Sequence, residues 1–211
     1  ITKQTEELKI PIIYDEVIKI KKNENGFNVF SNKKEYSTKK IIFAGGTEKL
    51  RLNLPGEGKF LGKGVSYCTT CDAAFFRNKP VIVVGGSDAA LTAALLLNEY
   101  ASKVFIVYRN EKFFKAEPVW VELIEKERKI ETFFNEEITE IIGKNNVEKV
   151  RLKSGKLLKT NGIFIEIGSI PETNVLENLS INLNENGYIT TDKNQKTNLY
   201  GFYAAGDVTD S

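Results

Sequence analysis

The chain has 211 residues, of which 41% are hydrophobic and 27% are charged, which is enough apolar material for one or two hydrophobic cores. Its 30 basic and 28 acidic residues nearly cancel, so charge gives no reason to expect nucleic acid or a membrane surface as a partner. The sequence contains no apolar run near the roughly 20 residues that cross a bilayer, and no histidine, the commonest metal ligand. We therefore expect a cytoplasmic globular protein without a metal site.

The first part of the chain alternates short β-rich runs with polar turns. Two of these runs are Ile10–Tyr14 and Phe27–Phe30, and a third, Lys40–Ala44, ends at the turn Gly45–Gly46. Short runs of this kind, separated by turn residues, are typical of a β-meander.

A pair of cysteines comes next, beyond a glycine-containing connector, Leu54–Gly58, that we interpret as turns. Cys68 and Cys71 are separated by two threonines and followed by Asp72. Cysteines at this spacing form a reducible disulfide, and a neighbouring carboxylate can move the proton that dithiol chemistry requires. Two alternatives are half of a zinc site, for which the sequence offers no second ligand pair, and two unrelated thiols. Both cysteines of the chain lie in this one motif, which favours a redox pair in a reducing compartment.

After Pro80 the hydrophobic pattern becomes strand–helix–strand. It predicts a strand over Val81–Val84, a helix over Asp88–Tyr100, a strand over Lys103–Tyr108 and a second helix over about Pro118–Arg128. Further short strands are predicted near residues 131–134, 138–142, 149–152 and 162–167. This alternation indicates an α/β domain with a parallel, Rossmann-like sheet, and beyond Gly168 short turn-rich runs return.

The turn between the first strand and the first helix resembles the dinucleotide fingerprint G-x-G-x-x-G/A. Gly85 and Ala90 occupy its first and third positions, but Ser87 replaces the second glycine. The serine Cβ crowds a diphosphate, although its hydroxyl can donate a hydrogen bond to one, and the helix N-terminus favours an anion. We predict that Gly85, Gly86, Ser87 and Ala90 form a nucleotide-binding turn. The alternative is a Rossmann-like unit that binds no nucleotide.

The end of the second strand indicates which nucleotide would bind. Arg109 stands there, Lys115 lies close behind, and the nearest acid in the sequence, Glu111, lies beyond the strand. An arginine at this position accommodates the 2′-phosphate of NADPH, whereas an acid would bind the ribose hydroxyl of NADH. Tyr108 could stack on the adenine. These residues predict a preference for NADPH, and the alternative is an ordinary solvated cluster of charges.

Taken in order, three segments resemble the low-molecular-weight thioredoxin reductase family: Tyr67–Pro80, the strand–helix–strand unit after it, and Ala204–Val208. The resemblance extends over nearly the whole chain. It implies hydride transfer from NADPH to FAD, reduction of a Cys68–Cys71 disulfide, and exchange with a thioredoxin. It also implies that Asp72 is the acid beside the pair, and that Gly206 and Asp207 form a turn that binds the ribityl and phosphate region of FAD.

The resemblance further implies a domain organisation. Residues 51–167 would form an NADPH-binding domain that carries the CxxC pair, inserted into an FAD-binding domain with a β-meander that is split between residues 1–50 and 168–211. The family's FAD-pyrophosphate unit has no counterpart before Ile1, nor its closing segment after Ser211. We therefore expect an incomplete FAD domain, a fragment that does not turn over NADPH with thioredoxin, and a homodimer in the complete protein.

Two departures from the family bear on nucleotide binding. Ser87 and Ala89 stand where the family has Gly and Ser, and Tyr108 and Asn110 replace the His and second Arg of its His-Arg-Arg. They predict that NADPH binds weakly. The function expected from the resemblance is a thioredoxin-disulfide reductase-like flavoprotein. The alternatives are a non-catalytic homologue that binds a nucleotide or a partner, and a reductase of a peroxiredoxin or glutaredoxin-like protein.

Overall fold

A computed structural model describes residues 2–210, with the side chains from Gln4 onward. The described chain divides into two compact units, the first formed by residues 2–48 and 169–210 and the second by Lys49–Gly168. Among the described residues, every helix is too short or too polar to span a membrane.

The structure contains four α-helices and fifteen strands within the described residues, together with two short 3₁₀ turns at Ala73–Phe76 and Asn174–Leu176. The helices are α1 (Thr2–Glu7), α2 (Thr69–Asp72), α3 (Asp88–Tyr100) and α4 (Pro118–Lys126). The strands are β1 (Val17–Asn23), β2 (Gly26–Ser31), β3 (Glu35–Thr38), β4 (Ile41–Phe43), β5 (Thr47–Lys49), β6 (Val65–Ser66), β7 (Pro80–Val84), β8 (Lys103–Tyr108), β9 (Ile130–Phe134), β10 (Ile138–Ile142), β11 (Lys149–Leu152), β12 (Leu157–Lys159), β13 (Gly162–Ile165), β14 (Ser169–Pro171) and β15 (Phe202–Ala204).

The first unit contains an antiparallel meander, β1-β2-β3, and two two-stranded ladders, β4 with β15 and β5 with β14. Its core is built on two phenylalanines, Phe27 of β2 and Phe202 of β15, whose rings meet edge to face at 5.7 Å. Ile20, Leu176 and Ile189 pack around them. The β4–β15 pair is parallel, with Ile41 opposite Phe202, so the turns that follow both strands lie at the same end.

The strand predicted over Ile10–Tyr14 is wrong. This stretch has no strand partner, and Ile10, Ile12, Ile13 and Tyr14 are exposed. Its β-branched residues favour extended backbone, but a strand also needs a neighbour, and Pro11 has no N–H to offer one. The ladder begins only at Val17.

The second unit is built on a five-stranded parallel sheet in the order β6-β13-β7-β8-β9. In β7 the side chains alternate between two cores: Val81 and Val83 face α3 and α4, whereas Ile82 and Val84 face the antiparallel sheet β10-β11-β12. A parallel strand covered on both faces reads as a continuous apolar run, which is why the sequence pattern located it. The carboxyl ends of β7, β8 and β13 meet at one edge, where a ligand site is expected in such a sheet.

Candidate functional site

The two cysteines form a disulfide at the start of α2. Their Cα atoms are 5.3 Å apart. Cys71 is exposed and Cys68 half-buried, and the backbone N–H of Asp72 donates to the carbonyl of Cys68 at 3.2 Å. The pair is therefore bonded, and the interpretation as two unrelated thiols is wrong.

A buried hydrogen bond anchors the residue between the two cysteines. The Thr69 hydroxyl donates to the Glu166 carboxylate at 2.9 Å, and both side chains are buried. Glu166 follows β13, and Lys49 lies 3.6 Å from its other oxygen. This carboxylate fixes α2 against the end of the parallel sheet, and sequence reasoning missed it.

A second buried carboxylate holds the residue before Cys68. Glu57 accepts a short hydrogen bond from the Tyr67 hydroxyl and two from the backbone N–H groups of Leu52 and Leu54, at 2.9 and 3.1 Å. Burial alone would raise the pKa of Glu57, but these hydrogen bonds outweigh it and hold the pKa below its ordinary value. Burial and the bond to Glu57 together raise the pKa of Tyr67.

A cleft of about 310 Å³ opens at the carboxyl ends of β7, β8 and β13. It brings together five of the predicted nucleotide-binding residues. They are Gly85, Gly86, Ser87, Arg109 and Lys115. Its apolar wall comes from Leu50, Leu52, Leu54 and Ile138.

Packing requires the small residues of the glycine turn. Gly85 has φ +141°, and a Cβ there would overlap the carbonyl oxygen of Glu166. The same Cβ would lie 3.0 Å from the Cβ of Ala90, which is fully buried behind the turn. Ser87 immediately precedes α3, and its hydroxyl makes no capping bond to that helix. The hydroxyl is therefore available to a ligand in the cleft.

The loop after β8 is tied to the start of α3. The Asp88 carboxylate accepts a hydrogen bond from the backbone N–H of Glu117 at 2.7 Å, and Lys115 forms a backbone bridge with Ser87. These contacts bring Lys115 to the glycine turn, opposite Arg109 at the strand end. Both cations are exposed, and neither forms an ion pair within the described part of the chain.

Tyr108, which we expected to stack on an adenine, lines the cleft, and its ring already packs against a neighbour inside the fold. Its side chain is buried; a Cβ on Gly86 would lie 2.6 Å from the ring, and Phe113 stacks on it at 5.7 Å. Asn110 donates its amide to the Tyr108 hydroxyl at 2.9 Å. The two residues that depart from the family's His-Arg-Arg thus bind each other.

The cleft also has acidic residues that sequence reasoning missed. Glu136 and Glu137, which follow β9, line the same cleft as Arg109. They are distant from Arg109 in sequence and adjacent to it only because β8 and β9 are neighbours. Only the order of the strands could have indicated them.

Gly206 and Asp207 lie in the first unit, in the turn after β15. Gly206 has φ +81°, and its carbonyl accepts hydrogen bonds from the backbone N–H and the hydroxyl of Thr209 at 3.0 and 2.9 Å. Asp207 is exposed. The turn at Gly46 follows the paired strand β4, and a Cβ on Gly46 or Gly206 would meet nothing within 4 Å. Two open glycine turns therefore lie at one end of a parallel pair, where a ligand has room.

Comparison with known proteins agrees with this arrangement. The pyridine nucleotide-disulphide oxidoreductase family model matches residues 1–211. The thioredoxin reductase of Listeria innocua is 39% identical over 186 residues, which cover 85% of this chain and 58% of that protein. The thioredoxin reductase of Rickettsia bellii is 38% identical over a match that covers 98% of this chain and 69% of that protein. The chain thus spans about three fifths to two thirds of the length of these relatives.

Solved structures match in the same way. The crystal structure of Lactococcus lactis thioredoxin reductase in the FR conformation gives a TM-score of 0.82 at 33% identity, covering 98% of this chain and 69% of that one. The crystal structure of T. acidophilum thioredoxin reductase gives a TM-score of 0.79 at 39% identity, covering 93% of this chain and 66% of that one. These matches confirm the α/β fold and the predicted resemblance. Because the family match extends over the whole sequence and several relatives exceed 30% identity, the chain belongs to the pyridine nucleotide-disulphide oxidoreductase family.

Proposed function

We propose that this chain belongs to a thioredoxin-disulfide reductase-like flavoprotein, which passes electrons from NADPH through FAD to the Cys68–Cys71 disulfide and on to a thioredoxin-like protein. One observation carries the proposal. The disulfide and the cleft share one compact unit, and Glu166 lines the cleft while it binds Thr69 between the cysteines.

The residues of the chain suit these cofactors. Gly85, Gly86 and Ser87 would hold the diphosphate of the nucleotide at the start of α3, and Arg109 and Lys115 would bind its 2′-phosphate. In the first unit, Gly206 and Asp207 would contact the flavin at the open turn after β15. When bound, NADPH supplies a hydride, and FAD passes its two electrons on to the disulfide.

The protein side of the chemistry is thiol–disulfide exchange. The Cys68–Cys71 bond breaks as it takes up two electrons and two protons, which leaves two thiols. One of them, as a thiolate, attacks a sulfur of the partner disulfide and expels the other partner sulfur. The second cysteine then attacks the mixed disulfide, restores the Cys68–Cys71 bond and releases the reduced partner. Asp72, next to Cys71 and half-buried, would carry the proton between the cysteine sulfurs and solvent.

The test starts from the chain after reduction with a dithiol and removal of the reductant. Each reduced chain should have two free thiols, where the untreated chain has none. These thiols should then reduce oxidised thioredoxin, with one thioredoxin disulfide reduced per chain. Oxidised glutaredoxin and a disulfide-form peroxiredoxin serve as competing substrates. Faster transfer to one of these would reassign the partner, and transfer to none, with nucleotide binding intact, would favour the non-catalytic alternative.

Replacing Arg109 by Ala should remove discrimination between NADP⁺ and NAD⁺. One charge-assisted contact contributes about 1.5–3 kcal/mol, so NADP⁺ should bind roughly 10- to 150-fold more weakly. NAD⁺, which lacks the phosphate, should be unaffected. Calorimetric titration of both nucleotides measures the two changes.

Lys112→Ala is the matched control, because Lys112 lies over the Phe114 ring and outside the lining of the cleft. It should leave both affinities unchanged. Equal weakening of NADP⁺ and NAD⁺ by Arg109→Ala would show that this residue does not read the 2′ position.

A further inference from the structure

Glu136 lies beside Arg109, although it follows a different strand. Its backbone N–H donates to the carbonyl of Tyr108 at 3.1 Å, and that of Asn135 donates to the carbonyl of Asn110 at 3.0 Å. These two bonds tie the turn after β9 to the backbone on either side of Arg109. The position of Glu136 at the cleft is therefore set by the backbone and not by a mobile loop.

The Glu136 carboxylate is held ionised. A hydrogen bond from the Ser154 hydroxyl, followed by bonds from backbone N–H groups, keeps the pKa of Glu136 below its ordinary value. The Ser154 N–H lies 3.3 Å from one carboxylate oxygen. The adjacent Glu137 pairs with Lys153 at 3.4 Å, whereas Glu136 has no cationic partner among residues 4–210. Glu136 is thus the unneutralised anion of the cleft wall.

The two residue types that read the 2′ position of an adenosine ribose therefore face one cleft. In Rossmann units an acid at this edge binds the ribose 2′-hydroxyl, and an arginine accommodates a 2′-phosphate. Here Arg109 follows β8 and Glu136 follows β9, and both line the cleft with the glycine turn.

We propose that Glu136 is a specificity-determining residue that accepts a hydrogen bond from the adenosine ribose and opposes a 2′-phosphate. The inference rests on the proposed role of the cleft as a nucleotide site. It implies that the preference for a nucleotide with the 2′-phosphate is smaller than Arg109 and Lys115 alone would confer.

Adenosine 2′,5′-bisphosphate and 5′-AMP test this end of the nucleotide alone, by calorimetry on the 211-residue chain. Glu136→Gln removes the negative charge and keeps the shape, so it should tighten the bisphosphate about 5-fold through lost repulsion. It should weaken 5′-AMP about 3-fold, because a neutral acceptor replaces a charged one. Near-ultraviolet circular dichroism checks that the variant is folded.

Glu137→Gln is the matched control, since Glu137 lines the same cleft but is already paired with Lys153. Both affinities should stay within about twofold, because an exposed ion pair contributes little. Equal effects of Glu136→Gln and Glu137→Gln would overturn the inference and leave the nucleotide site standing. If neither ligand bound the unsubstituted chain, the cleft would not be a nucleotide site and the inference would fail with it.

Discussion

Replacing Glu57 by Ala should lower the free energy of unfolding of the second unit by about 3–5 kcal/mol. The substitution removes the acceptor of three hydrogen bonds, from the Tyr67 hydroxyl and the backbone N–H groups of Leu52 and Leu54. Glu57 is only 4% exposed, so water replaces these bonds poorly. Unfolding in urea can be monitored by the fluorescence of Trp120. This is the single tryptophan of the chain and it lies in the second unit, so its signal reports on that unit.

The matched control is Glu125→Ala, which removes an exposed carboxylate from α4 in the same unit. Its effect should stay within about 0.5 kcal/mol. A Glu57→Ala variant as stable as this control would show that water satisfies the three donors.

The contribution of Glu57 should also depend on pH. Its folded-state pKa lies below the ordinary value of 4.5, so the stability that its charge provides is fully present above that value. It is lost as the pH falls through the folded-state pKa, where the native protein also takes up the proton. The difference in stability between the native chain and Glu57→Gln should therefore shrink on acidification below pH 4.5. A difference that stays constant there would mean that the charge of Glu57 plays no part.

Much of the second unit could be predicted because its local pattern and its tertiary structure agree. The helix α3 and the strand β8 have the bounds that the sequence indicated. An apolar run, a glycine turn and an alanine- and leucine-rich segment each favour one structure, and their order specifies a parallel unit. The grouping of Gly85, Ser87 and Arg109 follows, since the carboxyl ends of parallel strands share an edge.

The buried and acidic residues of the site could not be predicted in this way. Thr69 and Glu166 are 97 residues apart, and Glu136 reaches Arg109 only through the order of the strands. In a sequence with 28 acidic residues, a carboxylate that will be buried looks like one that will be solvated. The wrong strand at Ile10–Tyr14 has a related cause. The β propensity of a residue says nothing about whether another strand is present to pair with it.

The two buried carboxylates act on the two sides of Cys68. Glu57 holds Tyr67, the residue before it, and Glu166 holds Thr69, the residue after it. The backbone of Cys68 is therefore fixed from both directions, whereas Cys71 and its neighbour Thr70 are exposed. This asymmetry bears on which sulfur reacts with a partner, a question that the CxxC spacing leaves open.

We expect Cys71 to be the sulfur that attacks the partner disulfide. Thiol–disulfide exchange requires access to the attacking sulfur. Cys71 is exposed, whereas the half-buried Cys68 lies 3.5 Å from the Thr70 hydroxyl. Cys68→Ser leaves only Cys71 and should react with an aromatic disulfide reagent about tenfold faster than Cys71→Ser, which leaves only Cys68. Stopped-flow absorbance gives the two rates.

The same two variants should differ in what they trap. The partner is a thioredoxin that keeps one active-site cysteine, joined in a disulfide to a small aromatic thiol. Attack by Cys71 of the Cys68→Ser variant expels the aromatic thiol, and the mixed disulfide should accumulate, visible by mass spectrometry, because neither protein retains a second cysteine to resolve it. Cys71→Ser should form little of this adduct in the same time. Thr70→Ala is the control for changes to α2 itself, since it keeps both sulfurs and should retain full exchange. Equal rates and equal adduct yields from the two serine variants would show that the exposure of Cys71 does not select the attacking sulfur.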